Sequence, residues 1–451
     1  MSLKWLGFVV FLLGIQIPLF AQESEPKLEV RPDLHFRSFW MSTSYPSEDL
    51  KDDYALGMSL NLGMKLTYRQ HWRFHVGYRT FANVASTDIW NPDPTTGQGN
   101  RYETGLFDLR NPTDRLFGKL ETFSLEYFAQ KISIKAGRMG INSDWVNAQD
   151  GRLSPTAIEG FYLKYQPDSK WDIQTWVIGK MSIRGSSEWL GIGNTLGIFP
   201  VGRNESGTAS KYYGNTDSDW LGIVEVGRSL GDEAGLSFSQ TLADNLLSTT
   251  SLGFETTRSR GEEKWNVGVT GSLQAGVGDG GNSDPQLRYK NPEDFNYAVS
   301  GRIGWANSRW TTHFNYTHVG GDGRWLSPRE WGKDAWYTFI PRERNEGYEQ
   351  VDALVWYGEY RMDKVNTLVY AHFGLHWLSD VADAPANKYN FPSYRQLNLG
   401  MKYQPKVIKR VDIHVLMTAK WPISSQGLAP IQIYNKVDMM HINGILNWKL
   451  N

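Results

Sequence analysis

The basic residues of the stretch from Asp53 to Thr80, DYALGMSLNLGMKLTYRQHWRFHVGYRT, alternate with apolar ones. Lys65, Arg73 and Arg79 fall between apolar neighbours that recur at every second position. Lysine and arginine carry a fixed positive charge at neutral pH, so their chemistry is the attraction of carboxylates or phosphates rather than bond cleavage. The pattern therefore predicts an electrostatic role on one face of a half-buried strand.

Residues that make or break covalent bonds are not arranged for such work in this sequence. The chain has no cysteine, which excludes thiolate nucleophiles and thiolate metal ligands. His372 and His376 would lie about 13 Å apart on a strand, too far to share a metal ion. The run Gly276 to Gly281 fits G-x-G-x-x-G, but NSDP follows it where a dinucleotide site needs a helix. We therefore predict no catalytic centre, no cofactor and no metal site.

The elements that position the basic residues are strands with a repeat of two. Apolar residues alternate with polar ones in pairs of segments joined by short polar turns, which is typical of β-hairpins with one apolar face. Eight such hairpins and one strand at each end predict an all-β chain of about 18 antiparallel strands. The hairpins lie within 56–78, 123–136, 161–177, 220–242, 252–275, 297–316, 354–377 and 397–421, and the single strands within 34–40 and 440–450.

Turn length and aromatic placement favour a transmembrane barrel over a soluble β-sandwich or propeller. Short turns alternate with long polar connections, as in outer-membrane barrels, which have short turns on one rim and long loops on the other. Tyrosine and tryptophan crowd the short turns, as at Tyr68 with Trp72 and Trp305 with Trp310. Such side chains suit a membrane–water boundary, and a closed barrel leaves no unpaired strand edge in lipid.

The N-terminus and the composition agree with export to an envelope membrane. Residues 1–21 have a lysine, an apolar run and a small residue before the expected cleavage point, which predicts a signal peptide. Residues 22–451 then form a single barrel domain. Aromatic residues reach 14 % and glycine 45 residues, while mean hydropathy is only −0.46. A formal net charge of −1 gives no sign of a nucleic-acid partner.

The charge balance of the inner face follows from the alternation. If the apolar rows face lipid, the other rows face a lumen, and there we count 11 basic and 5 acidic residues in a chain whose charges nearly cancel. The basic set is Arg37, Lys65, Arg73, Arg79, Lys135, Lys164, Lys180, Arg302, Lys402, Lys420 and Lys449, and the acidic set is Glu126, Asp172, Glu255, Glu359 and Asp412. A basic, water-filled pore of this kind favours anions.

One segment goes further and resembles the OprD-like outer-membrane porins. In IKAGRMGINSDWVNAQDGRLSPTAIEGFYLKY, Ile134 to Tyr165, the run from Asp150 through Arg152, Leu153 and Pro155 to Gly160 is similar to the Asn/Asp–x–Arg–Leu–x–Pro motif of that family. The resemblance implies an 18-strand barrel whose third long loop folds inward to form the constriction. It also implies passive uptake of small solutes, often carboxylates, along a ladder of basic residues.

Together these observations predict a porin in the outer membrane of a Gram-negative bacterium, without enzymatic activity, that passes small polar or anionic solutes. Asp150 and Arg152 would shape the constriction, and a set of lumenal residues would line the path: Lys65, Arg73, Arg79, Lys135, Lys164, Arg302, Lys402 and Lys420. The expected partners are outer-membrane lipid, lipopolysaccharide and the solute, with the barrel a monomer or a trimer. Two alternatives stay open, namely a polysaccharide exporter barrel and a hydrolase built into a barrel wall.

Overall fold

A computed structural model describes residues 28–199 and 201–450, so the predicted signal peptide lies outside the described part of the chain. Strands dominate the described residues. In chain order they are β1 (Leu28–Ser44), β2 (Asp53–Tyr68), β3 (Trp72–Ser86), β4 (Leu116–Phe128), β5 (Ile132–Gly140), β6 (Ala157–Tyr165), β7 (Trp171–Ser182), β8 (Leu190–Gly191), β9 (Leu221–Ser229), β10 (Ala234–Ala243), β11 (Leu247–Arg260), β12 (Glu263–Gly276), β13 (Phe295–Ala306), β14 (Trp310–Gly321), β15 (Val351–Met362), β16 (Thr367–Leu378), β17 (Tyr394–Tyr403), β18 (Val411–Pro422) and β19 (Met439–Lys449).

Helical structure is limited to short pieces in the connections. One α-helix, α1 (Pro430–Ile433), and three 3-10 turns, Thr104–Leu106, Gly193–Thr195 and Asp363–Val365, are present in residues 28–199 and 201–450. No helix in this part of the chain has the length and apolar character needed to cross a membrane.

The strands close into an antiparallel barrel. Each wall strand pairs with its neighbours in sequence, and β1 closes the sheet by pairing with β19 as well as with β2, for example Phe36 with Trp448. Strand β8 pairs only with the end of β7, whereas β7 pairs along its length with β9. The wall therefore has 18 strands, and the predicted fold class is confirmed.

The wall carries apolar side chains outside and small or polar ones inside. On β13 and β14 the outward residues Val299, Ile303 and Phe314 are about half exposed, whereas Ser300 and Asn315 on the other face are buried. An apolar belt of this extent would be unstable in water, because each exposed apolar side chain forgoes the favourable free energy of burial. An outward-facing apolar belt is the surface that a closed barrel presents to lipid in a membrane.

Aromatic residues form a girdle at the rim of short turns. Trp72 packs against Tyr127 with ring centroids 5.0 Å apart, and Trp310 packs against Tyr360 at 4.5 Å. Trp265 on β12 pairs with Trp305 on β13 in the same band. Rings with an apolar body and a polar tip gain most at the lipid–water boundary, so the predicted turn-side aromatics mark that boundary.

The long connections on the opposite rim turn inward and pack among themselves. Three apolar clusters form where loop residues meet the inner wall, one around Trp331, one around Trp325 and one around Phe107. Residues 141–156, the third long loop, and residues 322–350 contribute to this packing. The long-loop half of the lumen is thus narrowed by the loops themselves, with no separate plug domain among the described residues.

One inward assignment from the alternation is wrong. Lys180 on β7 is exposed, whereas Ile178 and Met181 on either side are fully buried. The cause is a bulge: Glu159 pairs with Lys180 and Gly160 with Ile178, so Gly179 has no partner in the register. A bulge adds one residue to a strand and moves all later side chains to the other face.

Replacing Val299 with arginine is expected to lower the free energy of unfolding by about 2–4 kcal/mol, because Val299 faces lipid near the middle of β13. Val299→Ala, which shortens the same side chain without adding charge, is the matched control. Denaturant unfolding in lipid vesicles measures both. Equal stability of the two variants would show that this face does not contact lipid.

Candidate constriction and solute pathway

The third long loop crosses the lumen and is tied to the wall at several points. Arg37 on β1 forms an ion pair with Asp150 in which Nη2 donates to Oδ2 at 2.9 Å, and its Nη1 donates to the carbonyl of Arg152 at 2.8 Å. Ser59 on β2 donates to the Leu153 carbonyl at 3.0 Å. These bonds hold the loop inside the barrel, as predicted.

The loop over residues 322–350 enters the lumen from the other side. His376 on β16 bonds Asn345 at 2.8 Å, and Gln396 on β17 donates to the carbonyl of Pro341 at 2.8 Å. Asn147 of the third loop donates its backbone N–H to the carbonyl of Trp331 at 3.0 Å. The two loops therefore meet and narrow the lumen together.

A cavity of about 390 Å³ lies where these loops meet. Seven basic and two acidic residues line it: Arg101, Arg152, Arg184, Arg329, Lys333, Arg342 and Arg344, with Asp150 and Glu343. Both acids are already engaged, Asp150 by Arg37 and Glu343 by Arg101, Arg329 and Lys420. The cavity thus has an excess of positive charge.

Four of these arginines have no carboxylate within ion-pair distance among the described residues: Arg152, Arg184, Arg342 and Arg344. Arg152 donates to the carbonyl of Gly151 at 2.7 Å, and Arg342 donates to the Asn443 side chain at 2.6 Å. The Arg184 guanidinium lies 4.9 Å from the ring centroid of Phe199. Each therefore uses neutral partners and leaves its charge uncompensated.

Burial and mutual repulsion define the electrostatics of this cluster. Burial, followed by the nearby guanidinium of Arg342, lowers the pKa of Arg152 well below the usual arginine range. Burial likewise lowers the pKa of Arg342 to about 10, which leaves it protonated at neutral pH. Cations that are both desolvated and unpaired favour the entry of an anion, because an anion restores the charge balance that water no longer supplies.

Local backbone features help to position the side chains of two of these arginines. Arg342 has φ of 83°, a left-handed conformation that non-glycine residues rarely adopt and that packing against the wall must maintain. Gly105 lies directly behind Arg152, and a Cβ there would come within 2.8 Å of Nε. A side chain at position 105 would therefore displace the guanidinium of Arg152.

The predicted wall residues lie on the inner face, and most of them have a carboxylate partner. Six form ion pairs: Lys65 with Asp33, Arg73 and Lys135 with Glu126, Arg79 with Glu121, Lys164 with Asp172, and Lys420 with Glu343. Arg302 instead lies 4.6 Å from the Tyr337 ring centroid, and Lys402 lies 5.7 Å from that of Tyr370. Free positive charge is thus concentrated at the loops rather than spread along the wall.

Several charged groups of this region were not predictable from the sequence, for reasons that the structure makes clear. Asp33 precedes the predicted start of β1, and Glu121 lies at a bulge where the partner of Gly77 is Thr122 but that of Tyr78 is Leu120. Arg342 and Arg344 lie in a long loop that has no periodic signal. The dense charge run PRER, residues 341–344, was the one available pointer to them.

A second cavity of about 650 Å³ lies next to the first, on the side of the short-turn rim. It shares Asp150, His414 and Ile445 with the first cavity. Lys402 and Arg37 line it together with residues of the turns near 363 and 404. The two cavities are therefore adjacent along the barrel axis.

Replacing Asp150 with asparagine is expected to raise anion preference, because it removes one of the two acids lining the cavity and frees the charge of Arg37. The measurement is the reversal potential of channels in a planar bilayer under a KCl gradient. Asp168→Asn, at an exposed short turn, is the control. An unchanged reversal potential for Asp150→Asn would place this carboxylate outside the ion path.

Candidate chemistry at other sites is limited. No group of three or more His, Asp or Glu side chains in residues 28–199 and 201–450 is placed to hold a metal ion. Thr43, His441 and Glu103 do form a fully buried cluster, in which the threonine hydroxyl lies 2.7 Å from His441 Nδ1 and 2.6 Å from Glu103. The hydroxyl is the central member here, whereas nucleophile activation requires the histidine in that place.

Comparison with known proteins supports the fold directly. No family model matches the sequence, and no curated protein was found to be similar to it. Solved structures do match over 93 % of this chain and 98 % of theirs. They include OccK9 (OpdG) of Pseudomonas aeruginosa at 12 % identity and TM-score 0.70, OpdK of the same organism with vanillate at 11 % and 0.69, and OccAB3 of Acinetobacter baumannii at 11 % and 0.71. The predicted likeness is confirmed, since the chain has the 18-strand fold of the OprD-like outer-membrane channels.

Proposed function

We propose that this chain is an outer-membrane channel of a Gram-negative bacterium that admits small anionic solutes by diffusion. The observation that carries the proposal is the group of four arginines around the constriction cavity, Arg152, Arg184, Arg342 and Arg344, none of which has a carboxylate partner among the described residues. The shared fold with outer-membrane channels supports the location.

Carboxylates are the solute class that fits these groups best. A guanidinium is planar and offers two parallel N–H donors to the two oxygens of a carboxylate. OpdK, which has the same fold, was determined with vanillate, and this lends support to a small carboxylate as the solute. The cavity of about 390 Å³ suits a small molecule better than a polymer strand, so we favour a channel over a polysaccharide exporter.

Passage also requires that the solute leave the constriction. Lys402 lines the adjacent cavity, and Arg302 lies on β13. Neither side chain has a carboxylate within ion-pair distance in the described part of the chain. We propose that they offer weaker sites below the arginines, so that an anion moves between partners without being trapped. Lys65, Arg73, Arg79, Lys135 and Lys164, already paired, would adjust the wall potential. Lipid and lipopolysaccharide would surround the belt, and the protein would act without covalent chemistry.

The proposal is tested by uptake into proteoliposomes of succinate and of succinamide, which has nearly the same size and no charge. We expect faster entry of succinate, with protein-free vesicles as the blank. Arg342→Gln should slow succinate alone, whereas Arg309→Gln, at an exposed turn on the other rim, should change neither rate. Equal entry of the two compounds would overturn the anion preference, and no entry of either from a folded barrel would overturn the channel.

A further inference from the structure

A third cavity lies among the long loops, away from the constriction. It has a volume of about 340 Å³, and residues near 204–212, 285–291, 324 and 388 line it. None of its lining residues belongs to the constriction cavity. A volume of this size falls within the range of small-molecule sites.

A buried lysine forms part of the lining. Lys388 is only 2 % exposed, and its ammonium lies 4.8, 4.5 and 5.3 Å from the ring centroids of Tyr212, Tyr289 and Tyr389. Its Nζ makes neither an ion pair nor a hydrogen bond with any other residue that the structure describes. Aromatic faces stabilise a cation only partly, and they do not neutralise the charge of Lys388.

Two acids, Glu346 and Glu330, act electrostatically on this lysine, and both are committed to other groups. Glu330 accepts the backbone N–H groups of Gly197 at 2.9 Å and Phe199 at 3.1 Å. Glu346 pairs with Arg329 and accepts the hydroxyl of Tyr389 at 2.7 Å. Neither comes within 4 Å of the ammonium, so Lys388 has no carboxylate at ion-pair distance among the residues that the structure describes.

A second buried cation lines the same cavity. Arg324 is 7 % exposed, and among the described residues its guanidinium donates only to backbone carbonyls, including Pro385 at 2.8 Å and Arg203 at 2.9 Å. These bonds join two loops and fix the cavity wall while leaving the charge unneutralised. Lys211 and Arg288 complete the basic lining, and Glu205, 3.6 Å from Arg288, is the one acid among the described residues that line the cavity.

The neutral lining groups indicate which anion would fit. The side chains of Asn204, Ser206, Ser210, Gln286 and Asn291 also line the cavity, where Ser206 donates to Asn204 Oδ1 at 2.8 Å and Asn204 donates to Gln286 at 3.3 Å. Such groups both donate and accept, so they suit hydroxyl groups of a ligand. Burial lowers the pKa of Lys388 to about 8, which leaves it charged at neutral pH.

We propose that this cavity is a second anion site, on the long-loop face, that binds a small carboxylate bearing hydroxyl groups. The carboxylate would lie against Lys388, and the hydroxyls would face the amides at the rim. The inference goes beyond the proposed transport, because binding here does not depend on passage through the constriction. Tyr389 separates the two sites, with Lys388 near its ring and the Arg329 guanidinium 4.1 Å from the same centroid.

The test is calorimetric binding of gluconate to the refolded full-length barrel in detergent. Sorbitol, the same polyol without the carboxylate, and hexanoate, a carboxylate without hydroxyls, serve as matched probes. We expect gluconate to bind more tightly than either, and Lys388→Met to weaken it about tenfold or more through loss of the charge. Arg309→Gln, at an exposed turn on the short rim, is the control and should leave gluconate binding unchanged. Arg342→Gln should remove only the share of gluconate binding that occurs at the constriction, which separates the two sites.

Three results would overturn the proposal: no gluconate binding by the wild-type barrel, equal binding by wild type and Lys388→Met, or complete loss of binding in Arg342→Gln. Phosphate displacing gluconate at equal concentration would also overturn it, in favour of a general anion site. If Lys388→Met does not reach the folded form, Lys211→Met at the exposed rim replaces it, with an expected loss of about threefold.

Discussion

Replacing Glu343 with glutamine is expected to release the loop over residues 322–350 from the barrel wall. Glu343 is fully buried and accepts Lys420 at 2.8 Å and Arg101 at 2.9 Å, with Arg329 at 3.4 Å. Glutamine would leave three cations buried around a neutral group. Removing one member of a buried ion cluster costs about 3–5 kcal/mol, because the remaining charges have no compensation.

The pH range of this effect follows from the carboxylate itself. Burial alone would raise the pKa of Glu343, but Arg101, Lys420 and Arg329 hold it well below its usual range. A carboxylate whose pKa is lowered by folding stabilises the protein at pH values above its pKa in the unfolded chain. This stabilisation is lost as the pH falls through the pKa of the folded state. The full cost of the substitution should therefore be seen at neutral pH.

Tryptic digestion of the reconstituted barrel measures the release. The loop contains Arg329, Lys333, Arg342 and Arg344, and we expect cleavage there to be about a hundredfold faster or more in Glu343→Gln. Glu349→Gln, a half-buried acid of the same loop that forms no ion pair among the described residues, is the matched control. Equal cleavage of the two variants would show that Glu343 does not hold the loop.

Reversing the charge at Arg342 is expected to have the largest effect on ion selectivity. Arg342→Glu changes the cavity charge by two units at a position held by Asn443 and by its left-handed backbone. One unit charge at roughly 5 Å is worth about 0.8 kcal/mol even in bulk water. After screening, we expect the chloride-to-potassium permeability ratio to fall about tenfold.

The matched control for this reversal is Arg309→Glu, which makes the same chemical change at an exposed turn on the short rim. The reversal potential under a KCl gradient should move for the first variant and stay nearly constant for the second. A shift of the same size in both variants would mean that bulk charge rather than the constriction sets selectivity.

The barrel was predictable from sequence because its determinants are local. Alternation along Leu56 to Tyr68 already separates the lipid face from the lumen face, and short turns flanked by Tyr68 and Trp72 mark one rim. Strand count and the inward third loop followed from these signals and from the motif around Arg152. The failure at Lys180 arose where the bulge at Gly179 broke the alternation.

The constriction was less predictable because it is built by contacts between loops distant in sequence. Arg101, Arg184 and Arg342 lie in three different connections and meet only because each loop folds inward. Their partners are equally remote, as with Arg101 and Glu343. The alternation along the strands also overstated the positive charge of the wall, because the acidic count left out Asp33 and Glu121, which pair with Lys65 and Arg79.

We propose that unpaired arginines at the constriction make this barrel an anion-preferring channel. The most direct test is the sign of the reversal potential of single wild-type channels in a planar bilayer under a tenfold KCl gradient. Chloride preference is the predicted result. A reversal potential on the potassium side would contradict the account, because a cavity lined by seven basic and two acidic residues cannot favour cations while it shapes the ion path.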